Sequence, residues 1–311
     1  MNSYAVVDEV AGPYVLVDPG MYWLEGLTAL GRQLTGAGLR LCDAQAIIIT
    51  HFHVDHATAA PALASLCPLP VYMGEKDLRA VEEGFESYFN GVLELYRQYG
   101  VPSGETDAMG KVHPVPRLAK AYDELASLDL RPLREGDEVR VGASLVKVIE
   151  VPGHTPGHVA LLVNGMSEAV VGDALLNDIT PHVVLDRADR DALGEHMRTL
   201  KRFQEMGLGV ARPGHRDDVN MPAERAAQII AHHEERLQEV RSLISAEGAT
   251  LYEVARKVRW RTRARSWSDM SPYERYFAIG EALAHLKRLV NLGLADEVVR
   301  GGEVVFIGDR P

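Results

Sequence analysis

Residues 50–57 read Thr-His-Phe-His-Val-Asp-His-Ala, so three histidines and one aspartate fall within six positions. These four are His51, His53, Asp55 and His56. The β-branched run at residues 46–49 comes directly before them and predicts a buried strand. Imidazole and carboxylate groups are donors for first-row metals, and four of them in one place repel and desolvate one another without a cation. We therefore predict a metal site just past the strand. The alternative is a polar loop in which the histidines cap backbone groups.

Further polar groups follow three later predicted strands. His154 lies in the Gly/Pro-rich loop 151–158, Asp173 follows a strand at 169–171, and His215 follows a strand at 209–211. Loops at strand ends are where a rigid scaffold presents chemical groups. The recurrence strengthens the prediction of a metal site.

This set of seven residues resembles the hallmark of the metallo-β-lactamase superfamily of hydrolases, an HxHxDH motif followed by a lone His, a lone Asp and a last His. The resemblance runs from Tyr4 to about Val219. It implies an α/β fold, the four-layer αβ/βα sandwich, over residues 1–221, with a helical lid insertion at about 75–132.

The same resemblance implies a dinuclear metal site. His51, His53 and His154 would hold one ion, and a second group would hold the other: Asp55, His56 and His215. Asp173 would bridge the two ions. Asp173 and Asp55 are the predicted catalytic carboxylates, with Asp55 placed to handle a proton.

Two cations about 3.5 to 4 Å apart can share a water and lower its pKa toward about 7. The resemblance therefore predicts a hydrolase acting on a small acyl substrate such as a thioester, ester or lactone. Zinc is the first expectation for this donor set, and iron and manganese fit the same donors. The alternatives of the same fold are a phosphodiesterase or ribonuclease and an iron-dependent sulfur dioxygenase.

Five histidines outside the motif have other predicted roles. His158 either supports a ligand from behind or is structural, and His182 is a loop histidine that faces the pocket or has no role in the site. His113 is predicted to be an ordinary surface residue. The adjacent pair at 232–233 is predicted to be exposed, because neighbours on a helix point in different directions.

The aromatic stripe within residues 85–99 predicts a packing face, with a lid as the alternative.

Residues 222–311 predict helices followed by a hairpin at 294–307, which resembles the winged-helix domain appended to one branch of these hydrolases. A basic cluster precedes the last helix: Arg256, Lys257, Arg259, Arg261, Arg263 and Arg265. The net charge of −11 favours a solvated loop or a homodimer contact over nucleic-acid binding.

The 311 residues, 46% of them hydrophobic, are enough for one large domain or two smaller ones. The start of the chain shows no basic leader, and no apolar run reaches the roughly 20 residues of a membrane span, so we expect a cytoplasmic protein without membrane contact. The two cysteines, Cys42 and Cys67, form no CxxC pattern and predict two small buried apolar residues without a disulfide.

Overall fold

The computed structural model describes residues 1–8 and 12–308. Its strands are β1 (Tyr4–Val7), β2 (Tyr14–Val17), β3 (Ala44–Ile49), β4 (Val71–Gly74), β5 (Leu130–Leu133), β6 (Glu138–Val141), β7 (Ser144–Glu150), β8 (Val159–Val163), β9 (Glu168–Gly172), β10 (Val210–Pro213), β11 (Ala295–Arg300) and β12 (Glu303–Gly308). Its α-helices are α1 (Leu24–Gly36), α2 (Val54–Ala57), α3 (Ala60–Leu66), α4 (Glu75–Glu82), α5 (Phe85–Gln98), α6 (Ser103–Val112), α7 (Val115–Ala126), α8 (Ala192–Glu205), α9 (Pro222–Ser242), α10 (Leu251–Lys257) and α11 (Pro272–Asn291).

The described strands form two five-stranded sheets and one hairpin. The first sheet has the order β1-β2-β3-β4-β5 and the second the order β10-β9-β8-β7-β6. Strands β2 to β5 run parallel to one another, whereas β6 to β9 are antiparallel and β10 runs parallel to β9. Most of these strands match the predicted ones, but β5 escaped prediction because it is short and contains a proline.

The inner faces of the two sheets share one apolar core. Val15 and Val17 of β2 and Ile48 of β3 pack in one cluster with Val148 of β7 and Leu161 of β8. Strand β3 is buried on both faces from Ala46 onward, as expected for a strand covered on both sides. The polar residues that follow β3 are therefore mounted on a rigid, fully covered strand.

The described residues divide into two compact units that are discontinuous in sequence. The first comprises Met1–Phe85, Arg117–Pro181 and Arg198–Ala227, and it contains both five-stranded sheets. The second comprises Glu86–Pro116, His182–Met197 and the C-terminal part from Gln228. The predicted lid segment is thus shared between the units: α4 belongs to the first, and α6 and nearly all of α5 belong to the second. The domain boundary predicted after residue 221 stays a prediction.

In the second unit, α5 packs through its aromatic stripe. Phe89, Tyr96 and Tyr99 are buried, and the Tyr96 hydroxyl donates to the Tyr276 carbonyl over 3.2 Å. A capping box of Ser271 and Glu274 begins α11, and β11 and β12 form the predicted hairpin. The winged-helix interpretation of these elements stays a prediction.

The prediction that the cysteines are unpaired was wrong, because Cys42 and Cys67 form a disulfide with Cα atoms 5.3 Å apart. Cys42 lies just before β3, and Cys67 lies in the connection from α3 to β4. Since β3 and β4 are parallel neighbours, the chain enters both at the same edge of the sheet. Cys42 is also not buried, and only Cys67 is buried as predicted.

Two predictions about histidines were also wrong. His233 is fully buried, since one member of an adjacent pair on α9 faces the interior of the second unit. His113 stacks on Phe89 with ring centroids 4.3 Å apart, and its burial lowers its pKa to about 4. Among the described helices, none has the length and apolar character to cross a membrane.

Candidate metal centre

The first two histidines of the motif lie directly past the end of β3. Phe52 between them is buried: its backbone N–H donates to Asp77 Oδ2 over 3.1 Å and its carbonyl accepts from the Tyr122 hydroxyl over 3.0 Å. With Phe52 fixed on one side, the flanking imidazoles turn to the other, and His51 Nε2 lies 3.1 Å from His53 Nδ1. Two ring nitrogens therefore converge on one point.

Helix α2 starts immediately after His53 and carries the next two residues of the motif. Asp55 lies in its first turn, and His56 follows. The His56 ring is held from behind, because its Nδ1 donates to Asp18 Oδ2 over 2.8 Å. Its Nε2 is thereby directed toward the remaining polar groups.

Asp18 orients a second histidine through Thr50. The Thr50 backbone N–H and hydroxyl donate to the two carboxylate oxygens of Asp18 over 2.7 and 2.8 Å. The same hydroxyl oxygen lies 3.1 Å from His51 Nδ1 and can accept its proton, which leaves the lone pair of His51 Nε2 on the open side of the ring. Asp18 has a positive φ of 51°, an uncommon conformation for a non-glycine residue.

The other three residues arrive from the second sheet. His154 lies in the loop between β7 and β8, Asp173 follows β9, and His215 follows β10. A Cβ on Gly172 would lie 2.6 Å from Thr50 Oγ1, and one on Gly214 would lie 2.5 Å from His56 Cε1. The two glycines thus let the second sheet bring its polar groups against the first.

All seven predicted site residues come together in three overlapping clusters, in each of which the donor atoms lie within 4.8 Å of one another. The clusters are His51, His53 and His154; Asp55, His56 and His215; and His51, His56 and Asp173. Asp173 lies between the first two clusters. Its oxygens are 3.7 Å from His154 Nε2 of the first, and 3.6 Å from His56 Nε2 and 3.4 Å from His215 Nε2 of the second.

Charge separates the histidines into two kinds. Burial and neighbouring imidazoles hold the pKa of His51 and of His53 well below the ordinary value. For His56, burial lowers the pKa, but Asp18, Asp173 and Asp55 outweigh it and raise the value to about 9. Hydrogen bonds from His215 to Asp173 and Asp55 likewise raise the pKa of His215 to about 9. The site thus combines neutral imidazoles with imidazoles that take up positive charge.

The carboxylates of the centre are held ionised. Burial alone would raise the pKa of Asp55 and of Asp173, but bonds from His215 and the charge of His56 lower both below the usual range. Asp173 Oδ1 is buried and, among the described residues, has no hydrogen-bond partner. A buried ionised oxygen beside converging imidazole nitrogens is the arrangement that a divalent cation satisfies. The donor set therefore fits divalent metal ions.

One side of the centre opens to solvent. The His51 and His56 residues are fully buried, whereas the side chains of Asp55 and His215 are 33% and 27% exposed. Asp55 and His215 therefore lie on the open side of the centre.

His158 has a supporting place behind the clusters. It is fully buried, its Nε2 accepts the backbone N–H of Asp173 over 3.1 Å, and its Nδ1 donates to the Val159 carbonyl over 3.1 Å. Since both ring nitrogens are engaged, His158 positions Asp173 and donates nothing to an ion. His182 belongs to the second unit, where its ring stacks on Phe277 at 4.4 Å between centroids.

The groups behind the histidines were missed by sequence reasoning, because no motif marks them. Asp18 stands in Asp-Pro-Gly, which predicts only the end of a strand, and Asp77 and Tyr122 stand in helices without any motif. A fully buried Asp77 is visible as an exception only once the fold is known.

Comparison with known proteins agrees with this geometry. Residues 2–225 match the family described as the Metallo-beta-lactamase superfamily. The "Probable metallo-hydrolase YqjP" of Bacillus subtilis is 22% identical over 78% of this chain and 76% of its own length. A hydroxyacylglutathione hydrolase of Fuscovulum blasticum is 29% identical over 56% of this chain and 48% of its own length.

A solved structure has a similar fold along nearly the whole chain. A metallo-beta-lactamase family protein of Thermus thermophilus superposes with a TM-score of 0.78, at 24% identity over 99% of this chain and 98% of the other. Fold and clustered donors define a metal-dependent hydrolase. The chain belongs to the metallo-beta-lactamase superfamily.

Proposed function

We propose that this protein is a dinuclear metal hydrolase acting on a small acyl substrate: a thioester, an ester or a lactone. The observation that carries the proposal is the pair of three-residue donor clusters with Asp173 within 3.7 Å of nitrogens from both. In it, His51, His53 and His154 would hold one ion, while Asp55, His56 and His215 would hold the other. Asp173 would be shared between them.

A pair of bound divalent ions supplies hydroxide at neutral pH and polarises the substrate oxygen. The side chains of this protein contribute position and proton transfer. Asp55 is the most exposed carboxylate of the centre, and its Oδ2 accepts from His215 Nε2 over 3.1 Å. We propose that Asp55 accepts a proton and passes it on during turnover.

Zinc is the proposed metal, because a histidine-rich set of nitrogen and oxygen donors suits it. Iron and manganese bind the same donors, so the metal must be measured.

The acyl substrate is supported by the relatives. The Fuscovulum blasticum relative is named a hydroxyacylglutathione hydrolase, and a relative from Emericella nidulans, 27% identical over 37% of this chain and 38% of its own length, is named an atrochrysone carboxyl ACP thioesterase. Both names describe the cleavage of an acyl group from a carrier. We extend that class of substrate to this protein.

The test is a turnover screen over thioesters, esters, lactones, phosphodiesters and RNA, with the metal content of the same sample measured. Acyl hydrolysis by protein holding two ions per chain is the expected result. Turnover of phosphodiesters alone would overturn the acyl proposal, and a single iron without hydrolysis would favour the dioxygenase alternative.

A second candidate is a phosphodiesterase or ribonuclease, favoured by the basic cluster that ends at Arg265. All six of its side chains are exposed, and none pairs with an acidic side chain that the structure describes. The segment is anchored from its other side, since Trp260 Nε1 donates to the Ala255 carbonyl over 2.8 Å and Thr262 to Glu274 over 2.7 Å. The cations are therefore presented outward along an ordered segment.

Single-stranded RNA binding at two or more salt concentrations tests this candidate. Changing Arg261, Arg263 and Arg265 together to Gln should reduce the slope of log K against log salt by about 2. The matched control changes Arg32, Arg117 and Arg140, three exposed arginines elsewhere in the chain, to Gln. No binding at low salt removes the nuclease candidate, and a dimer that dissociates when the cluster is changed assigns it to contact between copies.

The finer architecture belongs to the same proposal. We propose that residues 1–221 form the four-layer sandwich and that residues 222–311 form a winged-helix-like domain. Its elements would be α10, α11 and the β11–β12 hairpin. Expression of residues 222–311 alone tests the boundary: a cooperative unfolding transition supports it, and an unfolded fragment contradicts it.

A further inference from the structure

Asp77 is a buried carboxylate that belongs to none of the donor clusters found among the described residues. It lies in the first turn of α4, the helix that follows β4 directly. An aspartate that is 0% exposed needs several strong hydrogen bonds to offset the loss of water. Its position is therefore explained by what it accepts.

The carboxylate of Asp77 connects two loops that are about 100 residues apart in sequence. Its Oδ2 accepts the backbone N–H of Phe52 over 3.1 Å and the hydroxyl of Thr155 over 2.6 Å. Its Oδ1 accepts the backbone N–H of Gly157 over 2.6 Å. Phe52 lies between His51 and His53, and Thr155 follows His154, so all three histidines of one donor cluster are adjacent to a group bound by Asp77.

Two glycines allow this corner to close. A Cβ on Gly157 would lie 2.2 Å from the Asp77 backbone nitrogen, and one on Gly74 would lie 1.9 Å from the Gly157 carbonyl oxygen. Such distances are far inside van der Waals contact, so the loop 151–158 can reach α4 only without these side-chain atoms. Glycine at both positions therefore permits the hydrogen bonds between this loop and Asp77.

The other cluster is supported by different groups. His56 is held by Asp18, and Asp55 lies on α2. His215 follows β10 at Gly214, whose backbone N–H donates to the Gly172 carbonyl over 2.8 Å. The bonds that Asp77 accepts from Phe52, Thr155 and Gly157 come, by contrast, from the two loops that carry the histidines of the first cluster. A defect at Asp77 should therefore affect the two clusters unequally.

We infer that Asp77 is a positioning residue for one ion of the pair: it holds the His51–His53 loop and the His154 loop at the separation that lets these three imidazoles bind a single metal. This rests on the proposed dinuclear site. Charge-assisted bonds to a carboxylate fix geometry strongly, and groups that orient metal ligands typically affect metal affinity by about 10- to 100-fold.

The test measures zinc affinity by chelator competition in the full-length protein. Asp77→Asn should lower the affinity for one of the two zinc ions by about 10- to 100-fold and the affinity for the other by less than about threefold. Thr155→Val, which removes one hydroxyl, should weaken the same ion by a smaller factor, and Thr155→Ser should restore it. The matched control is Asp8→Asn, because Asp8 also joins two segments by accepting the Ala143 N–H and the Ser144 hydroxyl.

A double-mutant cycle identifies which ion is affected. Asp77→Asn should be coupled to His154→Ala and additive with His215→Ala, since only the first pair acts on the same ion. Equal weakening of both ions, coupling to His215 instead of His154, or unchanged affinities would overturn the role of Asp77. Wild-type protein that binds no pair of divalent metal ions would contradict the proposed function itself. If Asp77→Asn does not fold, the Thr155 variants decide the question alone.

Discussion

The two units of the protein both bury histidines, but the surroundings of the imidazoles differ. In the first unit, His51 and His56 are fully buried beside Asp18 and Asp173. In the second unit, a group that we call the C-terminal histidine cluster is equally buried: His196, His233 and His285. Here two imidazoles face each other, with His233 Nδ1 3.4 Å from His285 Nε2.

The difference shows that burial alone does not make a metal centre. Burial lowers the pKa of His233 and of His285, although Glu281 acts in the opposite direction on His285. His285 also donates from Nδ1 to the Glu281 backbone carbonyl over 2.7 Å, as a neutral ring can. In the metal centre, carboxylates converge on the same point as the imidazoles and raise the pKa of His56 to about 9. The carboxylates therefore separate a site that accepts a cation from a set of neutral packing groups.

The largest expected effect is the loss of turnover when an imidazole is removed from the metal centre, and removal of one from the C-terminal histidine cluster serves as its comparison. His51→Ala should lower turnover by about a thousandfold or more and reduce bound metal, because it removes a donor from two clusters at once. His233→Ala should retain two metal ions per chain and most of the activity. It should instead lower the free energy of unfolding by about 2–4 kcal/mol through the cavity it leaves.

Elemental analysis, turnover and urea unfolding of both variants check this pair. A third ion in the wild-type protein that disappears in His233→Ala would break the comparison, since the C-terminal histidine cluster would then be a metal site as well.

A somewhat smaller effect is expected from Asp173→Ala. It leaves six donors in place but removes the carboxylate shared by the two clusters, so we expect fewer than two tightly bound ions and a loss of activity of about 100-fold or more. Asp178→Ala is the matched control, because this aspartate follows in the same loop and is exposed. Two ions that remain tightly bound in Asp173→Ala would remove the bridging role.

Much of the centre could be predicted because its chemistry is concentrated in short segments. His51, His53, Asp55 and His56 stand within six residues, and the strand before them is strongly apolar. The residues from later loops could be predicted because each follows a recognisable strand. The structure brings all seven together, and the resemblance to the superfamily proposed the same grouping.

What could not be predicted depends on contacts that are distant in sequence. Asp18 and Asp77 act on loops that lie 32 or more and 25 or more residues away, so no local pattern marks them. Cys42 and Cys67 meet only because β3 and β4 start at the same edge. His233 is buried by contacts with His285 of α11 and His196 of α8, which no pattern within α9 reveals.

The smallest expected effect is a pH dependence of stability from the half-buried imidazole of His113. Burial lowers its pKa from 6.5 to about 4, so between these values the unfolded chain binds a proton that the folded chain does not. Stability from this group is therefore complete above about pH 6.5 and falls as the pH drops toward about 4. His113→Gln should reduce the slope of unfolding free energy against pH in this window by up to about 1.4 kcal/mol per pH unit, which corresponds to one proton.

The measurement is urea unfolding of both proteins at several pH values in the presence of a chelator, so that the metal-centre histidines contribute equally to each. Asn90→Gln, a change at an exposed residue of the same unit that does not titrate, should leave the slope as in the wild type. An unchanged slope in His113→Gln would mean that its ring is already protonated in the folded protein near pH 6. The contacts of His113 with Phe89 and Tyr276 would then be those of a cation with aromatic rings.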